Sequence, residues 1–373
     1  MSEVYTKEHL GSILARFGLP DSDFTVESID NGHINSTLKI TYPHKTETQI
    51  YTLQAVNTYV FREPIAVMRN IELITDHIRN KLVANGVQDY KRRVLRFKKT
   101  ETGENYIFES DKLFWRCYRY ITDSETYNTV TDTKLLLNAG KAFGDFQKQL
   151  SDFPMEQLTE TIPNFHNTRK RIDDLFDAVE CDVCGRVKEV EPEIDYFRRH
   201  RDMSGKLQEL VDSGEMPVRV THNDTKYNNV LLDNKTGEAI CVIDLDTVMP
   251  GLAVHDFGDA IRYAASTTAE DEKNLDLVHV DMKSFEAFTE GFIGASGGFF
   301  TDAEIDNMAL ACQIITLELA SRFLLDYING DKYFKTHYQG QNLDRARNQI
   351  RLAEDMERNL ELMNAIVHKY SKQ

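Results

Sequence analysis

The prevailing spacing of apolar residues changes near Asp123. Between residues 24 and 121 most runs are short and alternate at every second position, around one helical stretch, and beyond Asp123 most recur every three or four. Residues 6–17 predict an amphipathic helix closed by Gly18 and Pro20. Strands are expected at 24–29, 37–42 and 51–56, with Asp30-Asn31-Gly32 and Pro43-His44-Lys45 as the turns between them. Pro64 opens a helix to about Ala84, with Ile65, Met68, Ile71, Leu73, Ile74 and Ile78 on its apolar side. Further strands are expected at 93–98, 105–108 and 114–121. Helices should then occupy 132–150, 168–180, 192–211, 282–292, 302–328 and 342–368, with short strands at 218–220, 230–232 and 240–243.

This pattern predicts an α+β chain in two parts. Residues 1–121 form an antiparallel sheet with one inserted helix, a connector lies near 117–123, and residues 122–373 are mostly helical and carry a β-hairpin. A length of 373 residues suffices for two cores. The formal net charge of -16 argues against nucleic-acid or anionic-membrane partners, because phosphate backbones need a basic face. The first residues mix charge into a helical pattern with no apolar signal-peptide core. The apolar run 314–328 is interrupted by Glu318, Ser321, Arg322 and Asp326, and so reads as a buried helix and not a membrane span. Cys117, Cys241 and Cys312 fall in apolar patterns, while Cys181 and Cys184 form a lone CxxC, short of a structural zinc set. Reduced thiols, a cytoplasmic location and no obligate protein partner are the expectations that follow.

One stretch concentrates the chemistry. THNDTKYNNVLLD, from Thr221 to Asp233, places a His, an Asp, a Lys and three Asn around one turn before an apolar strand, and a second Asp after it. Written His222-x-Asp224-x-x-x-x-Asn229, it has the spacing of a kinase catalytic loop, in which the Asp takes or orients the acceptor proton and the Asn holds Mg²⁺. Lys226 falls where many serine/threonine kinases carry a catalytic-loop Lys. Past the turn Asp233-Asn234-Lys235-Thr236-Gly237 and a second apolar strand lies Asp244, where a kinase keeps its second metal ligand. Amide and carboxylate oxygens suit Mg²⁺. Asp246, two residues on, would share the metal-facing side of an extended segment. Asp and Asn are also ordinary turn formers, but spacing, hairpin and terminal Asp coincide here.

Together these segments resemble the aminoglycoside phosphotransferase and choline kinase superfamily, and within it the bacterial N-acetylhexosamine 1-kinases. The likeness rests on THNDTKYNNVLLD, CVIDLDTVMPGL and HDFGDAIR. DNGHINST at 30–37, YTLQAVNTYVF at 51–61, FWRCYRYI at 114–121 and SRFLLDYINGDKYF at 321–334 extend it along nearly the whole chain. The resemblance implies a protein-kinase-like two-lobe fold with ATP between the lobes. It implies Mg²⁺, Asp224 as the base, Asn229 and Asp244 as metal ligands, and a sugar phosphorylated on its anomeric hydroxyl. Asp259 would hold the catalytic loop. An equal reading makes Asp259 a helix cap. The backbone of Arg119, Tyr120 and Ile121 would meet adenine.

Two departures stand out. The loop around Gly32 has one glycine where kinases carry GxGxxG, leaving Asn35, Ser36 and Thr37 to offer donors to phosphate, or only a hairpin turn. Gln54 stands where the phosphate-binding Lys is expected, so Lys226, Arg62 or the metal must supply charge. For the sugar the resemblance points to His33, Arg322 and Tyr333. His33 also reads as a surface residue, and Arg322 as an ion-pair partner of Glu318 or Asp326 at helical spacing. Other acceptors within the superfamily, such as aminoglycoside, homoserine or choline, stay open. So does a nucleotide-binding pseudokinase, which Gln54 would favour.

Overall fold

The computed structural model describes residues 5–29, 34–43, 48–110, 112–127 and 132–372. The chain forms two compact units. The first contains Met1–Ser124 together with Phe153–Ile162 and Ile240–Met249; the second contains Glu125–Asp152, Pro163–Ala239 and Pro250–Gln373. The first unit therefore takes in two segments from well beyond the expected boundary at 121.

In the first unit, α1 (Lys7–Arg16) starts at Thr6, whose hydroxyl accepts the His9 N–H at 3.2 Å. Five strands follow: β1 (Thr25–Ser28), β2 (Ser36–Tyr42), β3 (Gln49–Val56), β4 (Ile107–Ser110) and β5 (Leu113–Arg119). They form one antiparallel sheet in the order β1-β2-β3-β5-β4. Alternation sorts their side chains. Ile40, Tyr51, Leu53, Trp115 and Cys117 face α1 and build a core with Leu10, Ile13, Leu14 and Phe17. Gln54 and Arg116, paired in register, therefore belong to the other face of the sheet. There α2 (Pro64–Ala84) brings Met68 within 3.9 Å of Arg116, while Ile65 is exposed and not on the apolar side. The expected strand at 93–98 is instead a short helix, α3 (Tyr90–Arg93), and a single bridge from Phe97 to Tyr118. Lys91, Arg92 and Arg93 suit a solvated turn, and Arg93 pairs with Asp89 at 2.8 Å.

The two-residue β6 (Ser124–Glu125) lies at the boundary. Beyond it come α4 (Thr133–Gln149), α5 (Thr168–Cys181), α6 (Glu191–His200), α7 (Lys206–Asp212), β7 (Arg219–Thr221), β8 (Val230–Asp233), β9 (Ala239–Val242) and β10 (Met249–Gly251). The chain ends in α8 (Ala253–Ala264), α9 (Met282–Ser296), α10 (Asp302–Ile328), α11 (Gln341–Arg358) and α12 (Leu360–Ser371). The expected helix at 192–211 breaks into α6 and α7 around a short 3-10 turn ending at Gly205, and the one at 342–368 breaks at Asn359. Helix α10 opens with a capping box between Thr301 and Glu304 and runs through the middle of the second unit. Its Leu317, Ala320, Phe323, Leu324 and Ile328 pack with residues of α5, α6 and α11. It is the one described helix long and apolar enough to cross a membrane, and 78% of that window is buried in the protein, as in a core helix.

Candidate active site

In the second unit β7 leads into the loop that begins at His222, and α8 fixes that loop from below. The carboxylate of Asp256 accepts the backbone N–H groups of His222 at 2.8 Å and Asn223 at 2.7 Å, and also the Gln147 amide at 2.6 Å. Burial raises the Asp256 carboxyl above its ordinary value against these donors. Asp259 accepts the N–H of Thr225 at 3.0 Å and is paired with Arg262 at 3.0 Å. It lies in the middle of α8, which starts at Ala253, so the helix-cap reading fails. Gly251 is required nearby, because a Cβ there would stand 2.3 Å from the Thr221 hydroxyl. His222 is fully buried against Phe143 and Phe146.

This frame presents three side chains. Asp224 pairs with Lys226 at 3.0 Å and receives the Asn229 amide at 3.2 Å on Oδ2. Burial pushes the Asp224 carboxyl up, but Lys226 and the Asn229 amide outweigh it, so it is held below the usual value and ionised at neutral pH. Its charge in turn raises Lys226. Asn229 spends its Nδ2 on the carbonyl and carboxylate of Asp224. Its Oδ1 accepts no hydrogen bond among the described residues. That turned-out amide oxygen is the kind of hard donor Mg²⁺ takes.

In the first unit the two acidic residues of the IDLD segment separate. Asp244 is exposed, in the left-handed region at φ 60°, a conformation uncommon for a non-glycine residue. Asp246 is buried, and both its oxygens are engaged. Arg116 forms a bidentate pair with it, Nη2 lying 3.1 Å from Oδ2, and the Asn35 amide donates to Oδ2 at 2.7 Å. Asp246 is thus an ion-pair partner and not the exposed metal donor that its spacing implied. Asp244 keeps an exposed carboxylate, which suits the metal.

The same network answers the departure at Gln54. Its Oε1 accepts from Arg116 Nε at 2.8 Å, and its Nε2 donates to Thr37 at 3.0 Å. The cation beside Gln54 is therefore Arg116, from the neighbouring strand. Lys226 is committed to Asp224, and Arg62 is exposed. Asn35 is held on the Asn57 N–H at 3.0 Å, Ser36 is the first residue of β2, and Gly32 and His33 lie outside the described residues. In the connector the Arg119 and Tyr120 N–H groups are bonded to Arg96 O at 3.0 Å and Ile50 O at 3.1 Å, and Ile121 O accepts from the Ser124 hydroxyl at 2.8 Å. Glu72 pairs with Lys99 at 2.5 Å.

Neither structural pairing expected for Arg322 forms a hydrogen bond. Glu318 is taken by His166 at 2.9 Å and Thr168 at 2.8 Å. Asp326 accepts the N–H groups of Lys332, Tyr333 and Phe334 at 2.9, 2.8 and 2.9 Å, folding the segment after α10 back upon it. This brings the exposed Tyr333 ring to 5.9 Å and the Phe334 ring to 5.5 Å from the half-buried Arg322 guanidinium. Asp256 and Arg116 were missed in the sequence. HDFGD held a signal for the first, since two acids three apart share a helix face; the strand LFWRCYR carries two Arg, and nothing local singles out Arg116.

Residues 86–286, more than half of the chain, match the phosphotransferase enzyme family, and the chain belongs to it. Among solved structures it is similar to a microcompartment-associated aminopropanol kinase at 13% identity, covering 95% of this chain and 98% of that one with a TM-score of 0.59. A spectinomycin phosphotransferase, solved with ADP and spectinomycin, matches at 13% identity over 95% and 99% of the two chains, TM-score 0.59. A choline kinase from Cryptosporidium parvum Iowa II matches at 11% identity over 99% and 100%, TM-score 0.59. The fold is accordingly α+β and protein-kinase-like, with an N-terminal antiparallel sheet followed by a helical part.

Proposed function

We propose that the chain is an ATP- and Mg²⁺-dependent small-molecule kinase that phosphorylates the anomeric hydroxyl of an N-acetylhexosamine. Asp224 is ionised and bridged to Lys226, which suits a carboxylate that orients an acceptor hydroxyl and draws off its proton as the phosphoryl group transfers. Lys226 is the nearest cation to that carboxylate and offsets charge developing beside it. When bound with the nucleotide, Mg²⁺ would be held by Asn229 and Asp244 and would offset charge on the phosphates. Relatives of this fold have been seen with ADP, and one with GDP, which supports a purine nucleotide as donor.

The observation that carries the acceptor class is Arg322. It is a half-buried guanidinium beside Tyr333 and Phe334, with no hydrogen bond to a carboxylate among the described residues. Such a group calls for a ligand rich in oxygen acceptors, as a hexose with an acetamido carbonyl is. The same cation disfavours choline, whose ammonium would meet like charge there. Steady-state release of ADP with a panel of acceptors tests the proposal. N-acetylglucosamine or N-acetylgalactosamine should turn over best, and Arg322→Met should raise the sugar KM about tenfold or more with the ATP KM within about twofold. Preference for kanamycin, homoserine or choline would discard the sugar pocket, and ADP binding without turnover on any acceptor would favour a pseudokinase.

A further inference from the structure

Behind the Asp224 loop lies a mostly buried histidine, its side chain 12% exposed, that the mechanism above does not use. His166 Nδ1 stands 2.9 Å from Glu318 Oε1, and its Nε2 stands 3.1 Å from the backbone carbonyl oxygen of Asn223. Both partners only accept. A neutral imidazole has one N–H and satisfies one of them; an imidazolium satisfies both. Placing the proton on Glu318 instead would work against the Thr168 hydroxyl, which donates to Oε2 at 2.8 Å and favours the carboxylate form.

The Asn223 carbonyl and the Asp224 N–H belong to one peptide unit. That unit is held at both ends, the carbonyl by His166 and the N–H by His222 Nδ1 at 3.3 Å. Asn223 is in the left-handed region at φ 64°, so the plane of this peptide is not fixed by ordinary backbone preference. It decides where the Asp224 side chain starts. On the other side, Glu318 lies one turn before Arg322 on α10.

We infer that His166 is a positioning residue, an imidazolium that ties the peptide before Asp224 to the helix bearing Arg322 and so sets the reacting carboxylate against the acceptor. This rests on the reading of Asp224 and Arg322 given above. The groups facing His166 are Glu318 from α10, on which Arg322 also acts, His255 and Asp259 from α8, and the Asn223 carbonyl. Burial alone would lower His166, but the Glu318 charge reverses this and holds it above the ordinary value. Glu318 is itself pulled down to about 2 despite its burial, chiefly by His166, and His255 is driven to about 3 by burial and by the His166 charge. The positive charge thus resides on His166 alone of the two rings, which lie 5.4 Å apart. Because its folded value is raised, the tie is complete below the unfolded value and is lost as pH rises through the folded one.

Nitrogen-15 spectra of the histidine rings of the whole chain, with His166→Gln for assignment, test this without any substrate. At pH 7.5 the His166 ring should carry protons on both nitrogens, and Glu318→Gln should lower its titration midpoint by about one unit or more. The Asp224 amide signal should shift with that same midpoint. A neutral His166 ring at pH 7.5, or an Asp224 amide indifferent to its titration, would overturn the inference. With an accepted sugar, His166→Gln should lower kcat about tenfold or more, leave the ATP KM within about twofold and abolish an alkaline fall in kcat seen in the parent. An unchanged kcat with an unchanged pH profile would also overturn it. A lack of turnover on every acceptor would defeat the proposed function and leave the spectra to decide the state of His166.

Discussion

Asp224 and Asp246 show how one side chain type acquires opposite tasks from its surroundings. Asp224 is held ionised at a partly open position by Lys226 and Asn229, whereas Asp246 is sealed against Arg116 with side chains only 2% and 3% exposed. Two outcomes follow at this scale. Asp224→Asn should lower kcat at least about 100-fold while ATP affinity stays within about threefold, read by initial rates and calorimetry; near-normal turnover would remove Asp224 from the chemistry. Asp246→Ala should leave Arg116 buried without its counter-charge and cost about 3–5 kcal/mol of stability by urea unfolding. Breaking the exposed Lys99–Glu72 pair by Lys99→Met should cost no more than about 1 kcal/mol. The cluster of Asp224, Lys226 and Asn229 was legible because local spacing along one turn brings the three together. Arg116 was not, because it meets Gln54 only through strand register and Asp246 only across 130 residues of sequence. Asp246 was misplaced for a local reason: alternation on an extended segment ignores that the chain turns left-handed at Asp244 and enters a 3-10 turn.

At the scale of elements, glycines set the closest helix contact. Cβ atoms on Gly140 and Gly144 of α4 would stand 2.3 and 2.1 Å from the Phe288 and Phe292 carbonyl oxygens of α9, and one on Gly291 would stand 2.0 Å from Leu137 O. These backbones touch, so Gly144→Ala should cost about 1–3 kcal/mol although alanine is the better helix former. Gly294, also on α9, is exposed with nothing within 4 Å of its Cβ position, and Gly294→Ala should stabilise by up to about 1 kcal/mol. Urea midpoints of the two variants moving in the same direction would contradict the close-contact account. Element type was legible wherever periodicity was long: Pro64–Ala84 and Asp302–Ile328 have the bounds their apolar pattern predicts. The breaks at 201–205 and Asn359 were not legible, since the apolar spacing continues across both and only tertiary packing decides where a helix restarts. The strand expected at 93–98 failed because Arg93 closes the short helix α3 and only Phe97 of the remaining run reaches the sheet, by its single bridge to Tyr118.

For the whole molecule, the change of periodicity near Asp123 anticipated a sheet-rich and a helix-rich part. It did not anticipate that Phe153–Ile162 and Ile240–Met249 join the sheet unit. Those segments are anchored by contacts invisible to local pattern, such as the Asn70 amide on the carbonyls of Thr159 at 2.8 Å and Val248 at 3.0 Å. Family membership and fold are therefore carried by many residues at once, while the acceptor rests on a few around Arg322. The most direct measurement is phosphorus NMR of the product formed from N-acetylglucosamine or N-acetylgalactosamine with Mg-ATP. The account predicts a phosphate bonded to the anomeric carbon, with equimolar ADP. A phosphate on any other hydroxyl, or no sugar phosphate while an amino alcohol or aminoglycoside is phosphorylated, would contradict it.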